Sequence, residues 1–477
     1  MEQNYPGKTI LTWVCPEGSI VRGSHEVYNL FNELLDEKGY DFVVNFVQTK
    51  IDPKNHLDYI KGLYGTEAPA DIFNTGFLYK GDELSQCILL GMCEPLDPYL
   101  DSEAGERLKN MHSDVVWTSV SDDGTVYGVP CNGYPFVQSS YAVNVNMELA
   151  EKYGISVDRL FSDTVYLWEC AETVARKEKE LGNNGFRSVL WLTDTNDLLD
   201  YLVPDDIIVW KAEPLLGFRV DDGKVQTVNL LEDERISAAV SAFSRFRKSD
   251  RLLIEYPGTD NGKADGLIDS GQYFVAFTDR DVELPGAVTH KNRLRLQNRE
   301  GSVNCIASWR DEEHKQAAFR LLAAVQTDPE LSNLLAYGVT EKDYTVENGK
   351  VIPLTKADGS RTYPYLARYM LTNTDVLMPD QDDIRSPEIT DEDITNALQN
   401  PLFGRRVDRS LLRDQEKQIY KIRDYYEMSM NSLEDPNDIP IDMDSLISAL
   451  KNSEEYDVLK EIIGITDGVL REMGMLK

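Results

Sequence analysis

The chain has 477 residues, 42% of them hydrophobic and 27% charged, so it can hold roughly two or three domains with sizeable cores and matches no fibrous or disordered class. Its 82 Asp and Glu against 49 Lys and Arg give a net charge of −33, and with no basic stripe to override that field, nucleic acid is excluded as an expected partner. No run approaches the roughly 20 apolar residues of a membrane span, and MEQNYPGKTILTW lacks a signal-peptide pattern; the polar lead reads instead as the trimmed end of an exported domain.

In chain order, an apolar strand at Thr9–Val14 leads through the loop CPEGSIVRG to an N-cap candidate, Ser24. Val27, Leu30, Phe31, Leu34 and Leu35 then recur at helical spacing, and Gly39 is placed to end that helix. The near-continuous apolar run Asp41–Val47 predicts a strand covered on both faces, followed by a helix over His56–Tyr64 and a strand over Ala70–Phe73. Such a βαβαβ order builds a parallel sheet with right-handed crossovers. Ligands bind at the carboxyl ends of its strands, here the loops Cys15–Gly23 and Asn74–Tyr79.

The turn-rich SDDGTVYGVPCNGYPF places a crossing between lobes near Cys131–Gln138. Beyond it, a strand at Tyr141–Asn146 runs into a helix near Met147–Tyr153. Helices over Trp168–Leu181 and Arg235–Lys248 then alternate with strands over Ser188–Leu192 and Gln272–Thr278. Val303–Trp309 is strand-like, and DEEHKQAAFRLLAAVQTDPELSNLLAYG predicts two helices broken at Asp328-Pro329 and ended by Gly338. From about Pro387 a helix-rich tail follows, with helical spacing over Leu411 to Met430 and Met443 to Leu450. Cys15, Cys87, Cys93, Cys131, Cys170 and Cys305 form no CxxC pair and read as buried free thiols. Cys87 and Cys93 are near enough in sequence to bridge in an oxidising compartment.

Several strings, in order, resemble those of extracellular solute-binding proteins of ATP-binding-cassette importers, the carbohydrate-binding family 1 typified by maltodextrin-binding protein. They are KTILTW, APADIFNTG, CEPLDPYLD, DGTVYGVPCNGYPFVQSSYAVNVNMELAEKYGI, LIDSGQYFVAF and HKQAAFRLLAAVQTDPELSNLLAYGV, spread over most of residues 8–345. LAYGVTEKDYTVENGKVI and the acidic C-terminal region look closer to Gram-positive lipoprotein members than to the shorter periplasmic ones, although the lipidated N-terminal cysteine of that group is not in this sequence. The resemblance implies an α/β, two-lobe periplasmic-binding-protein-like fold of type II, each lobe a sheet flanked by helices. It implies an N-terminal lobe of residues 8–132 and 290–340, a C-terminal lobe of 138–285 and 345–477, and hinge crossings at 131–138, 285–292 and 338–346. It further implies a monomer on the extracellular face, joined to the membrane only through a lipid anchor, that serves the transmembrane subunits of the importer. No cofactor or metal is expected.

A sugar is hydroxyl-rich at its edges and weakly apolar on its ring faces, so its cleft calls for flat aromatics flanked by amides and carboxylates. The candidate ligand-binding residues are Trp13 and Glu17 at the end of the first strand, Asn74 and Phe77 after the third, and Tyr134 and Phe136 at the first crossing. From the second lobe come Trp191, Asp194, Trp210, Phe277 and Asp279. For Trp13, Phe77 and Trp210 core or interlobe packing outweighs stacking, because aromatics dominate cores everywhere. Trp191 and Tyr134 balance the two evenly, and Glu17, Asp194 and Asp279 also fit plain surface charges. The expected ligand is an oligosaccharide, captured by closure of the two lobes with no bond made or broken.

The alternatives are a glycoside-processing enzyme and a binding protein presenting a non-sugar solute to a surface receptor. No GxSxG, HExxH, CxxC or GxGxxG occurs, and GTDNGKA lacks the Ser or Thr that a phosphate loop carries after its lysine. The acidic loops DNGKADGLID and DPNDIPIDMD depart from the order of a calcium-binding loop. His25, His56, His112, His290 and His314 share no metal-ligand spacing and read as surface or loop residues.

Overall fold

Apolar strands with no charged position belong in a sheet covered on both faces; the second strand, Phe42–Gln48, is buried over Phe42 to Val44 but opens at Asn45, which is exposed. The computed structural model describes every residue except 1–3, 19–24, 53–54, 67, 77–82, 132–136, 139–140, 194–197, 211–214, 222–223, 250, 256–261, 298–301, 364–366, 381–388, 407, 413, 416, 420–442 and 477. The chain divides into two units: 1–136 with 298–384 and 402–408, and 137–297 with 385–401 and 409–477.

In the first unit, Thr9–Cys15 pairs in parallel with Phe42–Gln48 on one side and Ile72–Asn74 on the other. Val303–Ile306 runs antiparallel to the third strand, and Val129–Pro130 closes the far edge. The helix His25–Glu37 buries Phe31 and Leu35 in the core, and Gly39, at φ 81°, lets Tyr40 N–H reach back to Leu35 O and end the helix as expected. Its buried Asn32 clasps the outward groups of the edge strand, accepting from Val44 N at 2.7 Å and donating to Val44 O at 3.0 Å. An edge that would otherwise leave backbone groups unpaired is thereby satisfied. The helices Glu312–Thr327 and Pro329–Tyr337 meet at Asp328, whose carboxylate accepts from Glu330 N and Leu331 N.

The second unit carries a five-stranded sheet ordered Leu252–Ile254, Arg187–Trp191, Tyr273–Asp279, Tyr141–Asn146 and Ala287–Lys291, the first three parallel and the last two running in alternating sense. Tyr141–Asn146 and the following helix Met147–Tyr153 fall where the sequence puts them, with Asn146 capping the helix start and Gly154 in the left-handed conformation at its end. The helices Thr164–Glu180 and Glu234–Arg247 bring Trp168 against Phe243, Phe246 and Phe277, with ring centroids 4.6 to 5.7 Å apart. A three-stranded antiparallel sheet, Ile207–Val209, Leu216–Asp221 and Lys224–Asn229, was not anticipated. The C-terminal helix Glu455–Glu472 docks on it through Tyr456, whose hydroxyl meets Asn229 and Glu232.

The expected partition differs at three places, the shortest being 402–408, which falls in the first unit, where Arg406 N donates to Asp122 Oδ1. Residues 345–384 belong with the first unit, because the hairpin Tyr344–Glu347 with Lys350–Pro353 packs Tyr344 and Val351 onto Ala336 and Tyr337 of the helix Pro329–Tyr337. Residues 290–297 belong with the second, since Ala287–Lys291 pairs with Tyr141–Asn146, and Arg295–Leu296 pairs with Leu398–Gln399 and Val137–Gln138. The six cysteines are buried and free, so Cys87 and Cys93 do not bridge. The predicted N-cap Ser24 lies outside the described residues, as does most of the predicted helix Leu411 to Met430. Among the described residues no helix is long and apolar enough to cross a membrane, and no group of three or more His, Cys, Asp or Glu could hold a metal ion.

Candidate ligand-binding site

Ligands of open α/β sheets meet the carboxyl edge of the parallel strands, where chain direction leaves loops rather than helices over the sheet. In the first unit that edge is formed by the segments after Cys15, Gln48 and Asn74, together with Cys131 and with Ser302 at the start of the antiparallel strand.

One buried polar network fixes these segments. Asn74 Nδ2 lies within hydrogen-bond distance of Ser302 Oγ (2.9 Å), Asn304 Oδ1 (3.0 Å) and Met370 O (2.8 Å), while its Oδ1 accepts from Gly76 N at 2.8 Å. Asn304 in turn accepts from Trp13 Nε1 at 3.1 Å and donates to Met370 O at 3.0 Å and to the Cys131 thiol. That thiol donates onward to Met370 O, and burial pushes its pKa up, so it remains an S–H. Thr75 N donates to Val303 O at 2.9 Å and Thr49 N to Cys15 O at 2.9 Å.

In the second unit the corresponding edge is formed by Trp191 to Thr193, Thr278 and Asp279, Ile254 and Glu255, and the start of the antiparallel strand at Tyr141. Four rings meet there. Tyr201 lies 4.3 Å from Trp191, 4.3 Å from Tyr141 and 5.1 Å from Phe277, and Trp191 lies 5.6 Å from Phe277. Burial pushes the Tyr141 phenol pKa up, so it stays a neutral hydroxyl. Arg295, also buried, points its guanidinium at the backbone carbonyls of the segment that carries Tyr201.

Of the residues singled out in the sequence, Trp13, Trp191, Trp210 and Phe277 are 0, 5, 4 and 2% exposed. Each packs on rings of its own unit: Trp13 on Phe46, Trp191 on Tyr201 and Phe277, Trp210 on Phe218, and Phe277 on Trp168. Trp13 and Trp210 pack in the core, the side to which the sequence reading gave more weight, and Trp191 and Phe277 are packed there as well. Asn74 is at the carboxyl edge as expected but is wholly buried, so it shapes the edge from beneath. Glu17 and Asp279 are half-buried at the two edges. Phe77, Tyr134, Phe136 and Asp194 lie outside the described residues. Sequence reading missed His56, Ser302, Asn304, Tyr141, Tyr201 and Arg295. The available signal was the asparagine set inside an otherwise apolar strand, in DIFN and again in VNCI, since a buried amide requires a partner network.

Two histidines read as surface or loop residues are instead enclosed. His56 is buried at the first edge, and burial lowers its pKa. His112 has its Nε2 shut off from solvent, and burial lowers its pKa to about 4. For a depressed imidazole, the unfolded chain takes up the proton first. The stability that neutral His112 contributes is therefore full above the unfolded value near 6.5 and is lost as pH falls toward 4. Denaturant unfolding is expected to show about 3 kcal/mol of stability lost across that window for this group alone, and His112→Gln should flatten the difference between pH 6.5 and pH 5.

No family model matches the chain, and no curated protein matches it. Among solved structures it is similar to the N-glycan transport solute binding protein from Streptococcus pneumoniae, with a TM-score of 0.59 at 16% identity over 97% of this chain and 99% of that one. The same protein in complex with Man1GlcNAc gives a TM-score of 0.50 at 17% identity, covering 97% of this chain and 100% of that one. An HMO-binding, ABC-transporter-associated solute binding protein from Bifidobacterium longum infantis gives 0.51 at 14% identity, covering 96% and 99%. The fold is thus the two-lobe, periplasmic-binding-protein-like fold of solute-binding proteins, present over nearly the whole chain.

Proposed function

We propose that this chain captures an oligosaccharide outside the cell and hands it to the transmembrane subunits of an ABC importer, making and breaking no bond. The observation that carries this reading is the extent of the fold match. A protein of the same architecture along 97% of this chain is a solute binding protein for N-glycan transport, and the second such neighbour is named for binding HMO. The two carboxyl edges offer polar groups to a hydroxyl-rich ligand: main-chain groups pinned by buried amides in the first unit, and the half-buried Asp279 in the second. Capture works by closure of the two lobes on the solute, whose differential affinity for the closed form shifts the equilibrium. The protein acts as a monomer held at the extracellular face by an N-terminal lipid.

Thermal unfolding against a panel of N-glycan and milk-type oligosaccharides tests this directly. A true ligand at 100 times its dissociation constant should add about 2.7 kcal/mol of stability, with a smaller radius of gyration in solution scattering. A panel with no stabilising glycan rejects the sugar assignment, and shortened glycan products would replace capture with hydrolysis.

A further inference from the structure

The buried imidazole of His56 touches two carboxyl-edge segments of the first sheet directly and is linked to a third through Thr49. Its Nε2 lies 2.8 Å from Asn74 O and its Nδ1 lies 3.3 Å from Thr49 Oγ1. A carbonyl only accepts, so Nε2 carries the proton and Nδ1 is left to accept from the Thr49 hydroxyl. Thr49 N in turn donates to Cys15 O, which links the end of the opening strand to the same ring. Above the ring sits Gly76 at φ 98°, where an added Cβ would come within 3.3 Å of His56 Cδ2, so the turn after Asn74 rests directly on the imidazole. A core residue with only apolar work would not need both ring nitrogens engaged by loops of the ligand-binding edge.

We propose that His56 is a positioning residue for the ligand-binding edge: while neutral it holds the segments after Cys15, Gln48 and Asn74 in one arrangement, and its protonation releases them. Protonation makes Nδ1 a donor, so the Thr49 hydroxyl must reverse from donor to acceptor and aim its own proton elsewhere, while burial penalises the charged ring; together these weaken the common anchor of the two loops. The titratable groups on the touching elements are Cys15 and Glu17 beyond the opening strand, Lys50 and Asp52 beyond the second, Asp71 at the far end of the third, and Asp58 and Lys61 on the helix of His56 itself. Lys50, Asp52 and Asp58 are exposed, and Asp71 is engaged by Arg310 and His314. Burial and the Asn74 carbonyl are the influences acting on the ring. The inference rests on the reading of this edge as a binding site.

The test uses the full chain and two variants, with the Gly76 and Thr49 amides followed by NMR as pH is lowered and Man1GlcNAc affinity measured in parallel. In the wild type both amide signals should move together with the His56 imidazole titration, and affinity should fall over the same range. His56→Gln keeps a donor for Asn74 O and removes the titration, so whatever affinity it has at pH 7 should stay flat as pH is lowered. His56→Leu should lose about tenfold in affinity or more. If Man1GlcNAc binds nothing while the two amides still follow His56, the positioning role stands and the choice of solute fails. Amides that ignore the His56 titration, or a His56→Gln profile identical to wild type, overturn the positioning role.

Discussion

Replacing Asp71 with alanine is expected to destabilise the first unit by about 3–5 kcal/mol, the cost of stripping one partner from a buried ion pair. Asp71 is 1% exposed and uses both oxygens. One accepts from Arg310 Nε at 2.6 Å and lies 2.8 Å from His314 Nδ1, and the other accepts from Thr12 N at 2.7 Å. It thereby ties the helix Glu312–Thr327 and the segment before it to two adjacent strands, and its own backbone bonds Thr12 O and Ala307 N. Alanine would leave a guanidinium and a strand N–H without their acceptor, and both would have to find water in a packed core. Asp71→Asn should lie between, because an amide oxygen still serves Thr12 but offers Arg310 no charge. Denaturant midpoints followed by near-ultraviolet dichroism check both variants. A loss under 1 kcal/mol for alanine would mean that Arg310 and His314 reach solvent instead.

The frame of this molecule was legible because its signals are local. Apolar runs in TILTWV and FVVNFV, capping asparagines and aspartates, and glycines after Leu35 and Tyr153 fix strand and helix ends without reference to distant residues. The pairing of Leu216–Asp221 with Lys224–Asn229 also has a local sequence signal, the Asp-Gly dipeptide between alternating stretches. What stayed hidden depends on which chain segments meet. Trp13 and Phe277 sit at strand ends, where sequence position suggests an open edge, yet other side chains of their own units cover them. Asn74 and Asn304 are 230 residues apart, and nothing near either announces that they share one hydrogen bond. His56 follows the same logic: a lone histidine at a helix start looks like a surface residue until the strands beneath it are placed.

Arg295→Ala is expected to loosen the second unit by about 3–5 kcal/mol and to weaken solute binding with it. Its guanidinium is 2% exposed in the side chain and aims its donors at four backbone carbonyls, those of Asp200 (3.5 Å), Val203 (3.3 Å), Pro204 (3.3 Å) and Ile207 (3.0 Å), with the Asp205 carboxylate 3.7 Å away. Asp200 belongs to the helix Leu198–Leu202 and Ile207 to the strand Ile207–Val209, while Val203 and Pro204 lie in the turn between them, where Pro204 O also accepts from Ile207 N. The planar fork spans the helix, the turn and the strand start, and so it holds Tyr201 against Trp191 and Tyr141 at the second carboxyl edge. Lysine has the charge without the fork and can satisfy only part of this set, so Arg295→Lys should recover less than half of the loss. Hydrogen exchange locates the effect: amides over 199–209 should exchange faster in both variants, while those of Thr9–Cys15 in the other unit should not change. Equal acceleration in both units would place Arg295 in global stability alone, and no acceleration over 199–209 would mean that the carbonyls are held by the strand rather than by the arginine.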